Sequence, residues 1–252
     1  KMLSQILPEM DYKKNTFVDA FCGGGSVYIN VVDRYKKIIV NDIIKDLIGI
    51  HKELVDSDDI VTRTKFLCPG KKNPEGYAEL RNSYNENPTP DKLWALMLSS
   101  TNNMVRFNQK FKFNQTYGDR GFSDATQKKV DNFVNHIRKY NNIEYLSIPF
   151  DQIEVNSDMM IYCDPPYSNT NAGYNAYWKK DDDEKLYNYI KNIDSIGASF
   201  MLSGTLEHNG EKCKLLEDLI NDGFRYKILD FNYNKVSKIG KKNTKEIIIM
   251  NY

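Results

Sequence analysis

Two short stretches of this chain carry residue types that do chemistry at the edge of a sheet. The first is Asp164-Pro165-Pro166-Tyr167. Consecutive prolines remove two backbone N–H donors and stiffen the chain. A carbonyl beside them is left free to point into a cleft. The corner therefore offers a carboxylate, a backbone carbonyl and an aromatic face together. That set suits a planar amino group: both N–H bonds can be accepted while the ring stacks on Tyr167. A rigid Pro-Pro turn without a ligand is the competing reading. The second stretch is Phe17-Val18-Asp19-Ala20-Phe21-Cys22-Gly23-Gly24-Gly25-Ser26. Glycines after a strand let a ligand approach the backbone closely. The pattern is not G-x-G-x-x-G, so a nicotinamide cofactor fits it poorly. Asp19, an acid inside the strand, suits an ammonium-bearing ligand better than a pyrophosphate. Asp42 ends the next apolar run and can accept hydrogen bonds from both ribose hydroxyls. A plain glycine turn remains the alternative.

Such residues need strands whose ends lie side by side. FVDAF (17–21) and KIIVND (37–42) read as buried strands, joined by the glycine turn and a helix through Val27, Ile29, Val31 and Val32. Continuous apolar strands of this kind belong to a parallel sheet covered on both faces. Residues 159–163 predict a buried strand running into Asp164. Strands are also expected at 142–148, 198–202, 225–233 and 246–252, and helices at 181–193 and 210–221. In open α/β sheets, ligands bind beyond the carboxyl ends of the strands. The chain changes character between these halves. Residues 53–100 read as polar helices, with LWALML (93–98) the one strongly apolar run. Val105-Arg106-Phe107-Asn108 and Phe111-Lys112-Phe113 alternate like the arms of a hairpin. Residues 124–140 predict a helix with Val130, Phe133, Val134 and Ile137 on one face. The expected organisation is one discontinuous α/β domain, 1–52 with 141–252, interrupted by a helical and hairpin insert at 53–140.

The chain has 252 residues, 35 Lys+Arg against 34 Asp+Glu, and a net charge of +1. That length bounds one to two domains and allows a real core. The balance excludes a uniformly basic nucleic-acid coat, so a polyanion must be met by local patches. Seventeen Tyr and 12 Phe carry much of the packing. No apolar run reaches a membrane span, and no secretory signal opens the chain. Cys22, Cys68, Cys163 and Cys213 form no C-x-x-C pair, and His51, His136 and His208 fall at no ligand spacing. No metal is expected, and the thiols read as reduced and cytoplasmic. The histidines are assigned surface or helix-capping positions. The first residue is Lys, so the natural N-terminus is expected upstream.

FVDAFCGGGSV followed by DPPY resembles the S-adenosylmethionine-dependent amino-methyltransferases of DNA. The order of cofactor motif, insert and DPPY is similar to the Dam-type (alpha-class, D12) adenine-N6 family, and the layout most resembles its bacteriophage members. NNMVRFNQKFKFNQTYGDR resembles that family's target-recognition hairpin, R-x-N…F-x-x-x-x-G. TKEIIIMNY resembles its last strand. The resemblance implies a doubly wound, mostly parallel, Rossmann-like methyltransferase sheet with an inserted recognition domain. It implies S-adenosylmethionine across Gly23, Gly24, Gly25 and Ser26, with Asp42 at the ribose and Ile43 among the cofactor-binding residues. Asp19, Phe21, Cys22 and Asp164 would line the rest of that cofactor, and Phe150 would stack on its adenine. The target adenine would be flipped from duplex DNA. Asp164 and the Pro165 carbonyl would accept its N6–H bonds beside Pro166, Tyr167 would stack on it, and S-adenosylhomocysteine would leave. A GATC-like target follows from the resemblance alone.

Two departures stand out. The family's N-terminal glycine-lysine motif is absent, although KMLSQILPEM resembles the helix that follows it. Pro149-Phe150 stands where many members have an acid–Phe pair.

In the hairpin region 101–120, Arg106, Lys110, Lys112 and Arg120 face Asp119 alone, a local +3. Arg binds guanine in two-pronged fashion and Asn binds adenine similarly. Arg106 and Arg120 are therefore the expected base readers, supported by Asn102, Asn103 and Asn108, with Lys110 and Lys112 on phosphates. Residues 234–246 carry five lysines against Glu246, and Lys241 and Lys242 are expected on the DNA backbone. Tyr174, Tyr177 and Trp178 could fill the gap of a flipped base or pack in the core. The expected partner is double-stranded DNA, without membrane, for a monomer that could pair on DNA in the cytoplasm of a prokaryote or a phage-infected cell. An RNA exocyclic-amine methyltransferase and a catalytically silent DNA-binding relative are the alternatives. Restriction-modification, phage and regulatory roles all fit.

Overall fold

The computed structural model describes residues 2–166, 178, 180–230 and 244–252. It divides into two units, Lys1–Ile43 with Asn142–Tyr252, and Ile44–Asn141.

The first unit is built on Thr16–Asp19 (β1), Lys37–Asn41 (β2), Ile143–Leu146 (β3), Met159–Cys163 (β4), Ser199–His208 (β5), Glu211–Lys212 (β6), Arg225–Ile228 (β7) and Thr244–Met250 (β8). The strand order is β3-β2-β1-β4-β5-β8-β7, with β6 beside β5. From β3 to β5 the path is parallel throughout. β8 runs antiparallel to both β5 and β7. This is the expected doubly wound, mostly parallel α/β sheet. The chain leaves β1 toward β2 on one side and returns to β4 on the other. The order therefore reverses between β1 and β4, where such sheets open a crevice. Phe17, Val18, Met160, Ile161 and Cys163 are all fully buried, which explains why these strands show no polar alternation. Lys180–Ile196 (α7) and Lys214–Asn221 (α8) cover one face through Leu186, Ile190, Ile193, Leu216 and Leu219. The helix Leu3–Ile6 (α1) opens the chain.

Several elements differ from the sequence reading, among them the strand expected at 225–233, which ends at Ile228. The helix expected after the glycine turn is only a 3-10 turn, Tyr28–Asn30. Val27, Ile29, Val31 and Val32 are β-branched and lose side-chain freedom in a helix, and Val31 leaves helical geometry at φ −126°. β5 extends past 202 because β8 pairs with it as far as His208↔Thr244. The helix expected from 210 begins at Lys214, because Asn209 and Gly210 turn the chain with φ 52° and 89° into the β5–β6 hairpin.

The second unit contains Lys45–Asp56 (α2), Asp59–Leu67 (α3), Pro74–Glu86 (α4), Pro90–Ser99 (α5) and Asp124–Ile137 (α6). α5 carries the LWALML run and packs on α2, α3 and α4, burying Leu93, Ala95 and Leu96 completely. Ser123 caps α6 by accepting from the Thr126 N–H at 3.2 Å. Arg138, at the other end of α6, donates to the Leu54 and Val55 carbonyls and ties down the end of α2. His51 does not take the expected surface position. It is buried on α2 beside Phe133. The expected hairpin closes through isolated antiparallel bridges, Phe107↔Phe113 and Ser100↔Tyr117, rather than through a strand ladder. Asn85 substitutes for ladder partners, accepting from the Phe113 N–H at 2.7 Å and donating to its carbonyl at 3.0 Å. Gly118 is required there, since a Cβ would lie 2.5 Å from the Ser100 carbonyl. No helix among the described residues is long and apolar enough to cross a membrane.

Candidate active site at the carboxyl edge of the sheet

Asp19 ends β1 and is 1% exposed. Its Oδ2 accepts from the Tyr28 N–H at 3.3 Å. Its Oδ1 is buried without a partner among the described residues. Burial, reinforced by the charges of Asp164 and Asp42, pushes this carboxyl up to about 8. A buried, half-satisfied carboxylate is costly. A cation beside it would restore the ionised form.

The glycine turn follows directly. Gly23 and Gly25 sit at φ 48° and 76°, where a side chain would be strained. The Gly23 N–H donates to Asp42 Oδ2 at 3.0 Å. A Cβ on Gly23 or Gly24 would meet nothing within 4 Å, so the backbone faces open space. Ser26 is exposed at the end of the turn, and Ile43 lies 45% exposed beyond Asp42. Cys22 is buried, and burial holds its thiol well above the ordinary range, so it is no nucleophile.

Asn41 holds this edge together, and the sequence reading gave it no role. Its amide donates to the Ala20 and Ile148 carbonyls and accepts from the Ile148 N–H, each at 3.1 Å. One buried side chain thus bridges the ends of β1, β2 and the segment after β3. The only signal for it was an amide ending an otherwise apolar strand.

β4 delivers Asp164 to the same edge. The Asp164 side chain is exposed, and Ser203 on β5 donates to its Oδ1 at 2.8 Å. Pro165 is buried behind it and Pro166 half-buried. Phe21 and Phe150 pack with ring centroids 5.2 Å apart, and Trp178 stacks on Phe150 at 5.7 Å. The Trp178 indole N–H donates to Asp183 at 2.8 Å. Trp178 is thus a member of this aromatic cluster. Tyr167, Tyr174 and Tyr177 lie outside the described residues. No three His, Cys, Asp or Glu side chains converge as metal ligands among the described residues.

The expected readers of DNA lie in the second unit. Asn102 and Asn103 are exposed at φ 59° and 55° in a 3-10 turn. Arg120 is exposed and its Nη1 lies 3.5 Å from Asn103 Oδ1. Arg106 is half-buried, its Nε without a partner among the described residues. Asn108 spends its Oδ1 on closing the turn, accepting from the Lys110 and Lys112 N–H groups at 2.9 and 3.1 Å. Lys110 and Lys112 are exposed, and the Lys112 ammonium donates to the Asn85 carbonyl. Where α6 begins, a cavity of about 710 Å³ is lined by Lys65, Lys71, Arg120 and Lys129 against the single acid Asp124. The sequence reading missed Lys65, Lys71 and Lys129, the last of which is distant in the chain from the other two. Lys241 and Lys242 lie outside the described residues.

Residues 1–237 match the family described as D12 class N6 adenine-specific DNA methyltransferase. The chain is 32% identical over its whole length to the modification methylase StsI of Streptococcus sanguinis, covering 41% of that protein. It is 31% identical to the type II methyltransferase M.FokI of Planomicrobium okeanokoites, again over all of this chain and 41% of that one. It is 25% identical to a DNA adenine methylase of Haemophilus influenzae, over 67% of this chain and 60% of that one. The chain thus spans about two fifths of the length of the two modification methylases.

Proposed function

This chain belongs to the D12 class of N6 adenine-specific DNA methyltransferases, and from that premise we propose that it transfers a methyl group from S-adenosylmethionine to N6 of an adenine flipped out of duplex DNA. The observation that carries this reading is the pairing at one sheet edge of two unlike carboxylates. Asp19 is buried, half-satisfied and beside an open glycine turn. Asp164 is exposed, fixed by Ser203 and followed by two prolines. The first suits a fixed cation and the second an approaching amine.

S-adenosylmethionine would supply an electrophilic methyl on a sulfonium and leave as S-adenosylhomocysteine. Asp19 would hold its ammonium, Asp42 its ribose hydroxyls, and Gly23–Ser26 with Ile43 would let it approach the backbone. Phe21, Cys22 and Phe150 would complete the lining. An adenine N6 lone pair is delocalised into the ring and is a poor nucleophile. Asp164 and the Pro165 carbonyl would accept its two N–H bonds and concentrate electron density on nitrogen. Positioning and charge matching then suffice without a covalent intermediate. N6 gains the methyl and loses one proton through the Asp164 hydrogen bond.

The second unit, 44–141, would read the DNA. Arg106 and Arg120 would meet guanines, Asn102 and Asn103 neighbouring base edges, and Lys110 and Lys112 phosphates. The host setting is the cytoplasm of a prokaryote or phage-infected cell, with restriction-modification favoured by the names of the relatives. The test incubates the protein with labelled methyl donor and either duplex DNA or structured RNA. Label in DNA is expected. Label confined to RNA would replace this reading with the RNA alternative, and label in neither would favour a silent relative.

A further inference from the structure

Two buried hydroxyls lie behind Asp164. β4 and β5 are register neighbours, with Tyr162 opposite Met201 and Cys163 opposite Leu202. The residue after Cys163 therefore comes level with Ser203, and strand alternation puts Tyr162 and Asp164 on one face. Tyr162 and Ser203 are 2% and 1% exposed within otherwise apolar stretches. Buried hydroxyls are costly unless bonded. Here the Tyr162 phenol lies 2.9 Å from Ser203 Oγ, and Ser203 Oγ lies 2.8 Å from Asp164 Oδ1 and 3.3 Å from the Cys163 carbonyl.

We propose that Tyr162 and Ser203 are positioning residues, a two-hydroxyl relay that fixes the Asp164 carboxylate for the amine. The direction of the relay follows from proton inventory. Ser203 has one proton to donate, and a carboxylate attracts it more strongly than a neutral carbonyl. Tyr162 must then donate to Ser203. Burial and the nearby Asp164 charge hold the Tyr162 phenol well above its ordinary range, so it stays a donor. The relay pins one carboxylate oxygen of an otherwise exposed side chain. It also favours the ionised form of Asp164 beside the Asp19 carboxyl. Neither hydroxyl need touch substrate.

The inference rests on the reading of Asp164 as the group that receives the amine. Steady-state kinetics on duplex DNA, measured across pH for the unaltered protein and for Ser203→Ala, Ser203→Thr and Tyr162→Phe, test it. Ser203→Ala is expected to lower kcat about 10- to 100-fold, the worth of one hydrogen bond to a charged group. KM for the methyl donor should change little. The acidic limb of kcat should move to higher pH, because Asp164 loses a donor that favours its charged form. Ser203→Thr, which keeps the hydroxyl, should recover most of the rate. Tyr162→Phe, which keeps the ring, should shift the limb the same way by less. Unchanged kcat and limb in Ser203→Ala, or an unmoved limb in Tyr162→Phe, would overturn the relay. Absence of transfer by the unaltered protein would instead overturn the role of Asp164 beneath it.

Discussion

The two halves of this molecule handle polar groups in opposite ways. At the sheet edge the polar groups are few and cross-bonded, with Asp19, Asn41 and Ser203 buried and Asp164 exposed. Asn41 bridges the ends of β1 and β2 and the segment after β3, Ser203 holds Asp164, and the Gly23 N–H holds Asp42. In the second unit the expected readers of DNA sit on or beside turns, and all but Arg106 and Asn108 are exposed. Asn102, Asn103 and Asp119 have φ of 59°, 55° and 52°, and the hairpin closes through isolated bridges. The difference teaches where geometry has to be fixed. Under the proposed reaction, methyl transfer would tolerate little misplacement of the amine, which would put its groups on packed strands. Reading a duplex by charge and base edge can be done from turns whose side chains adjust.

If that contrast is right, substitutions at the edge should cost reaction, and substitutions in the second unit should cost recognition. The largest effect is expected from Asp164→Ala, which should lower kcat by at least about 10³-fold while donor binding, read by calorimetry, is largely kept. Substantial residual turnover would break the comparison at its strongest point. Asp19→Asn comes next, with donor affinity falling about 10- to 100-fold. Its pH signature is sharper. In the free protein Asp19 is raised to about 8, so near pH 6.5 it carries a proton that a cationic ligand must displace. Donor affinity should rise with pH from about 6 to 7.5 in the unaltered protein and lose that slope in Asp19→Asn. The same raised value makes the folded chain hold a proton that the unfolded chain has lost. The contribution of Asp19 to stability should therefore fall as pH rises from about 4 to about 8, and thermal melts of Asp19→Asn should lack that component.

Arg106→Ala or Arg120→Ala should cost about 1–3 kcal/mol of specific binding and relax one guanine position, with kcat on saturating DNA little changed. Unaltered sequence preference in both variants would dissolve the recognition half of the contrast. The smallest effect is expected from neutralising Lys65, Lys71 and Lys129 around the α6 cavity. Binding should weaken equally on all sequences, and the log–log salt slope should shrink by about 0.9 for each phosphate that is no longer neutralised.

The edge was the more legible half because each of its parts is local in sequence. A glycine turn after an apolar run and an acid-Pro-Pro corner after another suffice to place Asp19, Asp42 and Asp164. What joins them was not legible. Asn41 and Ser203 act on residues distant in the chain, at Ile148 and Asp164. Polar residues in buried strands were the available signal. The helix after Gly25 shortened to a 3-10 turn for a local reason, since Val31 leaves helical geometry in a stretch of β-branched residues that disfavour a helix. In the second unit the alternation of Val105–Asn108 and Phe111–Phe113 gave the right antiparallel approach. It overstated the ladder, because Asn85 on α4 takes the bonds that a strand would have taken. His51 was misplaced because its burial depends on Phe133, a helix away.

The central claim is that the sheet edge around Asp164 methylates adenine at N6. It is tested most directly by digesting methylated duplex DNA to nucleosides and identifying the labelled product by mass spectrometry, with the unaltered protein and with Asp164→Ala in parallel. The account predicts N6-methyldeoxyadenosine from the first and none above background from the second. Label on cytosine, or equal yields of methyladenine from both proteins, would contradict it.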